Sequence, residues 1–330
     1  MKIGVIGAGD FGVLHLEVYN QIKNVEIAWI CVRNPEKICG YADKYNCQIT
    51  NNYNDLLKDP TVEAIGVLTP ESVHFEHTIA ALEHGKHVLV EKPVSTNVKQ
   101  VEMIAQKARE TGLIVMPGHT CRFINSFARA RSYINDNQLK PVSYFARRNI
   151  PRERLALHNR THPVFMALSH DIDLIISYSS CKPKQIFGMQ NKTDPELINP
   201  DVFWGMIQFE DNSIATLETL WVLPTSGKYV ESYMEIATTE EIVHINYPSD
   251  SIWIDKAKGR YYPDPSFFEK INDEWVGALR NELNYFIRCV ESKTMPNIVT
   301  IDEAIVGIRI AQLLIRSAEE KRPLLYSEAT

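Results

Sequence analysis

The sequence predicts an α/β fold: an N-terminal, doubly wound parallel sheet followed by an α+β domain with a mainly antiparallel open sheet. In residues 1–117, short apolar runs without alternation are separated by amphipathic stretches, as expected for parallel strands buried on both faces. From about residue 142 the pattern changes to closely spaced strands with short polar breaks. That pattern is typical of an antiparallel meander.

The individual elements follow from this pattern in chain order. Five buried strands are predicted at 2–7, 25–31, 63–68, 87–90 and 113–117, with helices at 11–23, 35–45, 72–84 and 97–111 between them. The second part contains predicted strands at 142–149, 201–209, 213–222, 232–237, 241–246 and 251–255, and helices at 164–178, 275–291 and 301–318. Thr300 and Glu303 form a predicted capping box for the last helix. We therefore expect two domains, at 1–121 and 122–330.

Composition excludes several classes of protein. The 330 residues carry a net charge of −6, which provides no basic field for nucleic acid. The six cysteines are dispersed without a Cys-x-x-Cys pair, which indicates reduced thiols and a cytoplasmic protein. Apolar runs are shorter than the ~20 residues of a membrane helix. His74 and His77 lack a matching pair of carboxylates, so no metal site is predicted.

A glycine-rich turn directly after the first strand predicts the cofactor site. It has the G-x-G-x-x-G pattern of a Rossmann fold, with a strand before it and a helix after it. The first glycine permits the tight turn, the second lets the backbone approach a pyrophosphate, and the third lets helix and strand pack closely. The helix N-terminus attracts the phosphates. The residues of this turn are Gly7, Ala8, Gly9, Asp10, Phe11 and Gly12.

The end of the second strand bears on the choice between NAD and NADP. An acidic residue there would accept hydrogen bonds from the adenine ribose of NAD, but this sequence has Val32 followed by Arg33. An arginine can pair with a 2′-phosphate, or it can simply be an exposed strand-end residue. This position favours NADP over NAD.

Glu91-Lys92-Pro93, at the end of a predicted buried strand, is a more specific signal. Together with the glycine turn it resembles the glucose–fructose oxidoreductase/inositol dehydrogenase/rhizopine-catabolism (Gfo/Idh/MocA) family, over essentially the whole chain. Further matches, in order, are His15, Thr69-Pro70 with His74, Gly118 through Arg122-Phe123, and His170 with Asp173. One neighbouring position differs, because Thr120 stands where family members often carry asparagine.

The resemblance implies a Rossmann domain joined to a substrate domain, with hydride transfer to or from a hydroxyl or ketone of a sugar, cyclitol or nucleotide sugar. It implies Lys92 as a catalytic residue that polarises the reacting oxygen. It also implies a homodimer or homotetramer formed through the exposed face of the second sheet. Cofactor contacts are expected from the glycine turn and from Val32, Arg33, Thr69, Pro70, His74, Glu91, Lys92 and Thr120. Substrate contacts are expected from Lys92, Arg122, Met166, His170 and Asp173.

The second-domain motif departs from the family pattern. Family members commonly have an aspartate four residues before the histidine, on the same helical face, but this chain has Met166 before His170. His170 still fits an acid or base near neutral pH. The departure leaves open an imine reductase on the same fold, or a non-catalytic dinucleotide sensor or co-regulator. A group of arginines, Arg147, Arg148, Arg152 and Arg154, either binds an anionic group of the substrate or is solvated.

Overall fold

The computed structural model describes residues 1–155, 160–179, 181–224, 230–248, 254–256, 259–261 and 263–329. The chain divides into two compact units. The first comprises Met1–Phe123 and Phe267–Ile305, and the second comprises Ile124–Ser266 and Val306–Thr330. The functional domain boundary after residue 121 stays a prediction. Part of the predicted strand at 251–255 lies outside the described residues.

The first unit is built on a six-stranded sheet. Its strands are β1 (Lys2–Ile6), β2 (Glu26–Cys31), β3 (Gln48–Thr50), β4 (Ala64–Val67), β5 (His87–Glu91) and β6 (Val115–Gly118). They lie in the order β3-β2-β1-β4-β5-β6, and each neighbouring pair is parallel. This order has its switch point between β1 and β4, where doubly wound folds bind their ligands at the carboxyl ends of the strands.

Helices connect these strands. They are α1 (Asp10–Tyr19), α2 (Gly40–Tyr45), α3 (Tyr53–Lys58), α4 (His74–Glu83) and α5 (Val98–Thr111). Buried aliphatic side chains from both the strands and the helices form the core of this unit. The strand triplet Ile65, Leu89 and Met116 and the α5 residues Val101 and Ile104 are all fully buried there.

The second unit begins with α6 (Asn125–Asp136) and contains a seven-stranded sheet. Its strands are β7 (Ser143–Asn149), β8 (Pro183–Asn191), β9 (Val202–Phe209), β10 (Ile214–Leu220), β11 (Glu231–Ala237), β12 (Ile242–Tyr247) and β17 (Leu324–Leu325). The order is β12-β11-β7-β10-β9-β8-β17, and only the β7–β10 pair among these is parallel. The predicted fold class is confirmed for both sheets.

Short hairpins and three further α-helices follow. The hairpins pair β13 (Ile254–Lys256) with β14 (Gly259–Tyr261) and β15 (Glu269–Ile271) with β16 (Glu274–Val276). The helices are α7 (Ser169–Tyr178), α8 (Ala278–Ser292) and α9 (Ile301–Glu320). The predicted capping box is confirmed, because the Thr300 hydroxyl accepts the Glu303 N–H at 3.1 Å and Glu303 Oε2 accepts the Thr300 N–H at 3.0 Å.

One face of the second sheet packs against the C-terminal part of α9. Gly188 and Gly205 lie directly under Leu314, and a Cβ at Gly188 would come within 2.1 Å of the Leu314 carbonyl oxygen. The two glycines therefore allow helix and sheet to approach closely. Within the described part of the chain, no helix has both the length and the apolarity needed to cross a bilayer.

Candidate active site

The geometry of the glycine turn fits a dinucleotide. Gly7 has φ +102°, and a Cβ there would lie 2.6 Å from the Leu68 carbonyl oxygen. A Cβ at Gly12 would lie 2.6 Å from the Gly7 carbonyl oxygen, so this glycine lets α1 pack against the turn. At Gly9, by contrast, a Cβ would meet no described atom within 4 Å, which leaves room for a ligand against the backbone. The N–H groups at the start of α1 are available to phosphate oxygens there.

The ends of β1 and β2 adjoin at this turn. The Gly7 N–H donates to the Cys31 carbonyl at 2.9 Å, so the residues that follow β2 lie beside the glycine turn. Val32 is half-buried, and Arg33 is exposed. The arginine therefore occupies the edge at which an adenine ribose would be recognised, although its contact with a cofactor stays a prediction.

His74 joins two loops at the carboxyl edge of the sheet. Its ring is 1% exposed, with Nδ1 2.8 Å from the Pro93 carbonyl oxygen and Nε2 2.7 Å from the Thr69 carbonyl oxygen. Thr69 and Pro70 are half-buried in the loop after β4. The imidazole thus connects that loop to the turn that contains Lys92, and a contact of His74 with a cofactor stays a prediction.

Lys92 follows β5 and is half-buried. Its backbone N–H donates to Oε2 of the preceding Glu91 at 3.2 Å, and its peptide bond to Pro93 is cis. Strands β1 and β5 are separated only by β4, so the glycine turn and Lys92 lie about 10 Å apart along one edge. This spacing suits a residue that acts at the nicotinamide end of a dinucleotide whose phosphates lie at the turn.

Two predicted contact residues near the end of β6 already have buried partners. The Thr120 hydroxyl donates to Glu282 Oε2 at 2.7 Å, and both residues are buried. The Arg122 guanidinium donates to the Ile298 carbonyl at 2.7 Å and to Glu303 Oε2 at 2.9 Å. A role for Thr120 in cofactor binding and for Arg122 in substrate binding stays a prediction.

The second unit carries His170 near the start of α7. The predicted helix at 164–178 has two parts, because a π-helix at Val164–Leu168 precedes α7. Met166 lies in the π-helical part, and both Met166 and His170 are half-buried. Asp173 is buried. Single π-helical turns occur frequently at functional sites.

Sequence reasoning missed the partner of Arg148. This arginine donates from Nε and Nη2 to the two oxygens of Asp171 at 2.8 and 2.9 Å, and both residues are buried. Burial raises the pKa of Asp171, whereas the neighbouring guanidinium opposes that rise. Arg147 pairs with Glu231 at 2.8 Å. Arg147 and Arg148 therefore have acidic partners inside the unit, whereas the sequence analysis considered only binding of an anionic substrate group or exposure to solvent.

A second group that sequence reasoning missed lies in the first unit. His15, Glu91 and Glu282 are all buried. One imidazole nitrogen of His15 and one carboxylate oxygen of each glutamate lie within 4.8 Å of one another. Glu282 occupies a fully buried position of α8, next to the buried Leu279 and Leu283. A glutamate within an apolar stripe at helical spacing was the available signal.

The 3-2-1-4-5-6 strand order and the glycine turn together define a dinucleotide-binding protein of the Rossmann class. The model of the Gfo/Idh/MocA family, an oxidoreductase family with an NAD-binding Rossmann fold, matches residues 1–119. The first part of the chain is thus similar to the NAD-binding part of this family. The resemblance found in the sequence is thereby confirmed.

Individual relatives are similar to longer stretches of the chain, and solved structures share its fold. The chain is 31% identical over 204 residues to 4-carboxy-2-hydroxymuconate-6-semialdehyde dehydrogenase of Sphingobium sp. (strain NBRC 103272 / SYK-6), covering 60% of this chain and 64% of that protein. It thus spans less than two thirds of that relative. It is 26% identical over 328 residues to scyllo-inositol 2-dehydrogenase (NAD(+)) of Bacillus subtilis (strain 168), covering 93% and 92% of the two chains. The structure of scyllo-inositol dehydrogenase from Lactobacillus casei with bound NAD(H) and scyllo-inositol has the same fold, with a TM-score of 0.84, 18% identity and 99% coverage of each chain.

Proposed function

We propose that this protein is an NAD(P)-dependent oxidoreductase that transfers hydride to or from a hydroxyl or ketone of a sugar-like substrate. The observation that carries the proposal is the position of Lys92 at the carboxyl edge of the Rossmann sheet, two strands from a glycine turn shaped for a dinucleotide. The scyllo-inositol specificity of a relative that aligns over 92% of its own length supports a cyclitol or sugar as substrate.

When bound, the nicotinamide cofactor supplies or accepts the hydride. The contribution of Lys92 is electrostatic: its ammonium polarises the reacting carbonyl and stabilises the charge that develops on its oxygen. Glu91 holds the backbone of Lys92 through the 3.2 Å hydrogen bond, and the His74 bridge holds the following Pro93. The chain thus orients the lysine from both sides.

His170 is the proposed proton-transfer group. An imidazole exchanges protons readily near neutral pH, and this one lies near the start of α7, just after the π-helical turn. Met166 cannot supply the negative charge that an aspartate would supply at that position. The proposed enzyme therefore works without the aspartate of the family pattern, and a substrate with an apolar or deoxy position near Met166 suits it.

Replacement of Lys92 tests the proposal. The purified protein would be assayed with NADH and NADPH against keto-sugars, inososes and cyclic imines, and with both oxidised cofactors against sugars and cyclitols. We expect Lys92→Met to lower turnover by about 10²–10³-fold, because one donor to the developing oxyanion is lost. Dinucleotide binding should change by no more than a few-fold. Lys99→Met, at an exposed position of α5, is the matched control.

The outcomes separate the candidate functions. Turnover of Lys92→Met within a few-fold of the parent would remove Lys92 from the mechanism. Reduction of the imines but none of the ketones would favour an imine reductase. Tight dinucleotide binding without turnover of any substrate in the panel would favour a sensor.

A further inference from the structure

A buried imidazole and a buried carboxylate face each other directly behind Lys92. His15 Nε2 lies 3.5 Å from Glu91 Oε1, and the two side chains are 0% and 11% exposed. Among the described residues, neither of these atoms has a hydrogen-bond partner. Buried polar atoms of this kind are rare in native proteins, and each requires an explanation.

The other ring nitrogen restricts the possible protonation states. His15 Nδ1 lies 3.0 Å from the Phe11 carbonyl oxygen, and a carbonyl oxygen only accepts hydrogen bonds. The hydrogen of a neutral ring is therefore on Nδ1, which leaves a lone pair on Nε2 facing Glu91. A lone pair opposite an ionised carboxylate is repulsive in a buried site. A proton on either Nε2 or Glu91 Oε1 turns this repulsion into a hydrogen bond.

Further acidic side chains lie around this pair. Glu282 from α8 contributes a second carboxylate within 4.8 Å, and its Oε2 accepts the hydroxyl hydrogen of Thr120. Tyr19, one turn after His15 on α1, is fully buried, and burial and the two nearby carboxylates all raise its pKa. A proton between His15 Nε2 and Glu91 Oε1 would give both of these buried atoms a hydrogen-bond partner.

The carboxylate that faces His15 also touches the Lys92 turn. Glu91 Oε2 accepts the Lys92 backbone N–H, and Glu91 Oε1 lies 2.7 Å from where a Cβ of Gly118 would be. The carboxylate is therefore held between the β6 backbone, the ring and the lysine amide. Through the Phe11 carbonyl, the same ring is bonded to the first turn of α1, which follows the glycine turn.

We propose that His15 is a positioning residue, and that one proton shared between His15 Nε2 and Glu91 Oε1 fixes the carboxylate that holds the Lys92 backbone. The inference rests on the proposed function, because it assigns His15 an effect on turnover through Lys92. It connects the cofactor-binding turn to the catalytic lysine by a chain of three hydrogen bonds. Such a connection aligns the lysine with a dinucleotide held at the turn.

Two substitutions of His15 distinguish positioning from packing. His15→Leu fills the space without a donor, and we expect kcat to fall by about ten- to a hundred-fold with little change in dinucleotide KM. His15→Gln keeps an N–H that can donate to Glu91, and it should return kcat to within several-fold of the parent. If His15 only packs, both variants should lose stability, and kcat should not differ between His15→Leu and His15→Gln. That result would overturn the proposal.

The matched control is a histidine with the same local bond. His84 Nδ1 lies 2.8 Å from the carbonyl oxygen four residues earlier, as in His15, but this residue is exposed at the end of α4. His84→Leu and His84→Gln should leave kcat unchanged. Lys92→Met, measured in parallel, separates the two proposals: if it retains turnover the proposed function is wrong. If it is inactive while His15→Leu is fully active, only the role of His15 is wrong.

A direct readout does not depend on turnover. In the full-length protein with ring-labelled histidine, NMR should show an exchange-protected downfield proton correlated with the His15 ring, and the signal should be absent from His15→Leu. A neutral ring beside an ionised Glu91 with no proton between them would overturn the proposal. One equivalent of tightly bound metal in the purified protein, lost in His15→Leu, would also overturn it, because an ion would then replace the proton.

Discussion

The buried polar side chains His74 and Glu91, close to Lys92, form hydrogen bonds with backbone groups. His74 bonds to two carbonyl groups, and Glu91 accepts the Lys92 amide, so each orients a loop rather than presenting its polar atoms to solvent. In the proposed role, Lys92 needs such support because its four-carbon chain is flexible. Substitution of these residues is therefore expected to affect turnover through the geometry of the lysine.

The pair Met166 and His170 allows a prediction for proton transfer. We expect His170→Ala to lower turnover by about 10²–10⁴-fold, the usual contribution of a positioned acid or base. Met166→Asp should move the acidic limb of the pH–rate profile to higher pH, because a nearby carboxylate stabilises the protonated imidazole. Met166→Leu keeps the apolar character and should leave that limb in place. Near-parental activity of His170→Ala at all pH values would show that the ring only packs.

The predicted preference for NADP(H) over NAD(H) rests on Arg33. If its guanidinium pairs with a 2′-phosphate, NADP(H) should bind about ten- to a hundred-fold more tightly than NAD(H), which corresponds to roughly 1.5–3 kcal/mol for a charged hydrogen bond. Arg33→Ala should abolish this preference while leaving NAD(H) binding unchanged. Lys37→Ala removes an exposed charge nearby and is the control. Titration of both dinucleotides decides the question, and ten-fold tighter binding of NAD(H) to the parent would contradict our interpretation.

At the scale of elements, the first residue of the π-helix Val164–Leu168 is hydrogen-bonded to the preceding histidine, His162. His162 Nδ1 accepts the Val164 N–H at 3.2 Å, so Nε2 carries the ring hydrogen and donates to Gln190 Oε1 at 3.2 Å. Burial lowers the pKa of His162 from 6.5 to about 4, and the bond to Gln190 only partly opposes this shift. The ring therefore stays neutral at neutral pH and accepts a backbone N–H at the start of the helix.

This shift predicts how stability depends on pH. Between pH 6.5 and about 4 the unfolded chain protonates this ring, whereas the folded protein does not. The free energy of unfolding should therefore fall as the pH is lowered through this window, by up to about 3 kcal/mol from this group. His162→Asn, whose amide oxygen can accept the Val164 N–H, should flatten this part of the profile in denaturant unfolding. The exposed His84→Asn is the control, and an unchanged slope in His162→Asn would contradict the assignment.

At the scale of the whole molecule, one face of the second sheet exposes large apolar side chains. Met189 and Trp204 are cross-strand partners and are 61% and 44% exposed, and Met206 on the same face of β9 is 47% exposed. Contiguous exposed apolar side chains on a sheet are typical of an interaction surface. They are consistent with the expected homodimer or homotetramer formed through this face.

A negative charge placed on this face of the sheet tests the predicted oligomer. We expect the parent to sediment as a dimer or tetramer and Trp204→Glu to shift it toward monomer, because a buried unpaired carboxylate would destabilise the interface. Met103→Glu places the same charge at an isolated exposed methionine of α5, 54% exposed, and should leave assembly unchanged. Sedimentation equilibrium measures both. A monomeric parent would contradict the prediction.

The sequence by itself determined the fold class, the glycine turn and the position of Lys92 at a strand end. These follow from local patterns: periodicity, glycines at fixed spacing and a short motif. Only the tertiary structure brought Glu282 to His15 and Asp171 to Arg148, since these partners come from elements that are distant along the chain. It also placed a π-helix where a continuous α-helix was expected. Long-range pairing of buried charges depends on which faces pack together, and a single sequence does not record that choice.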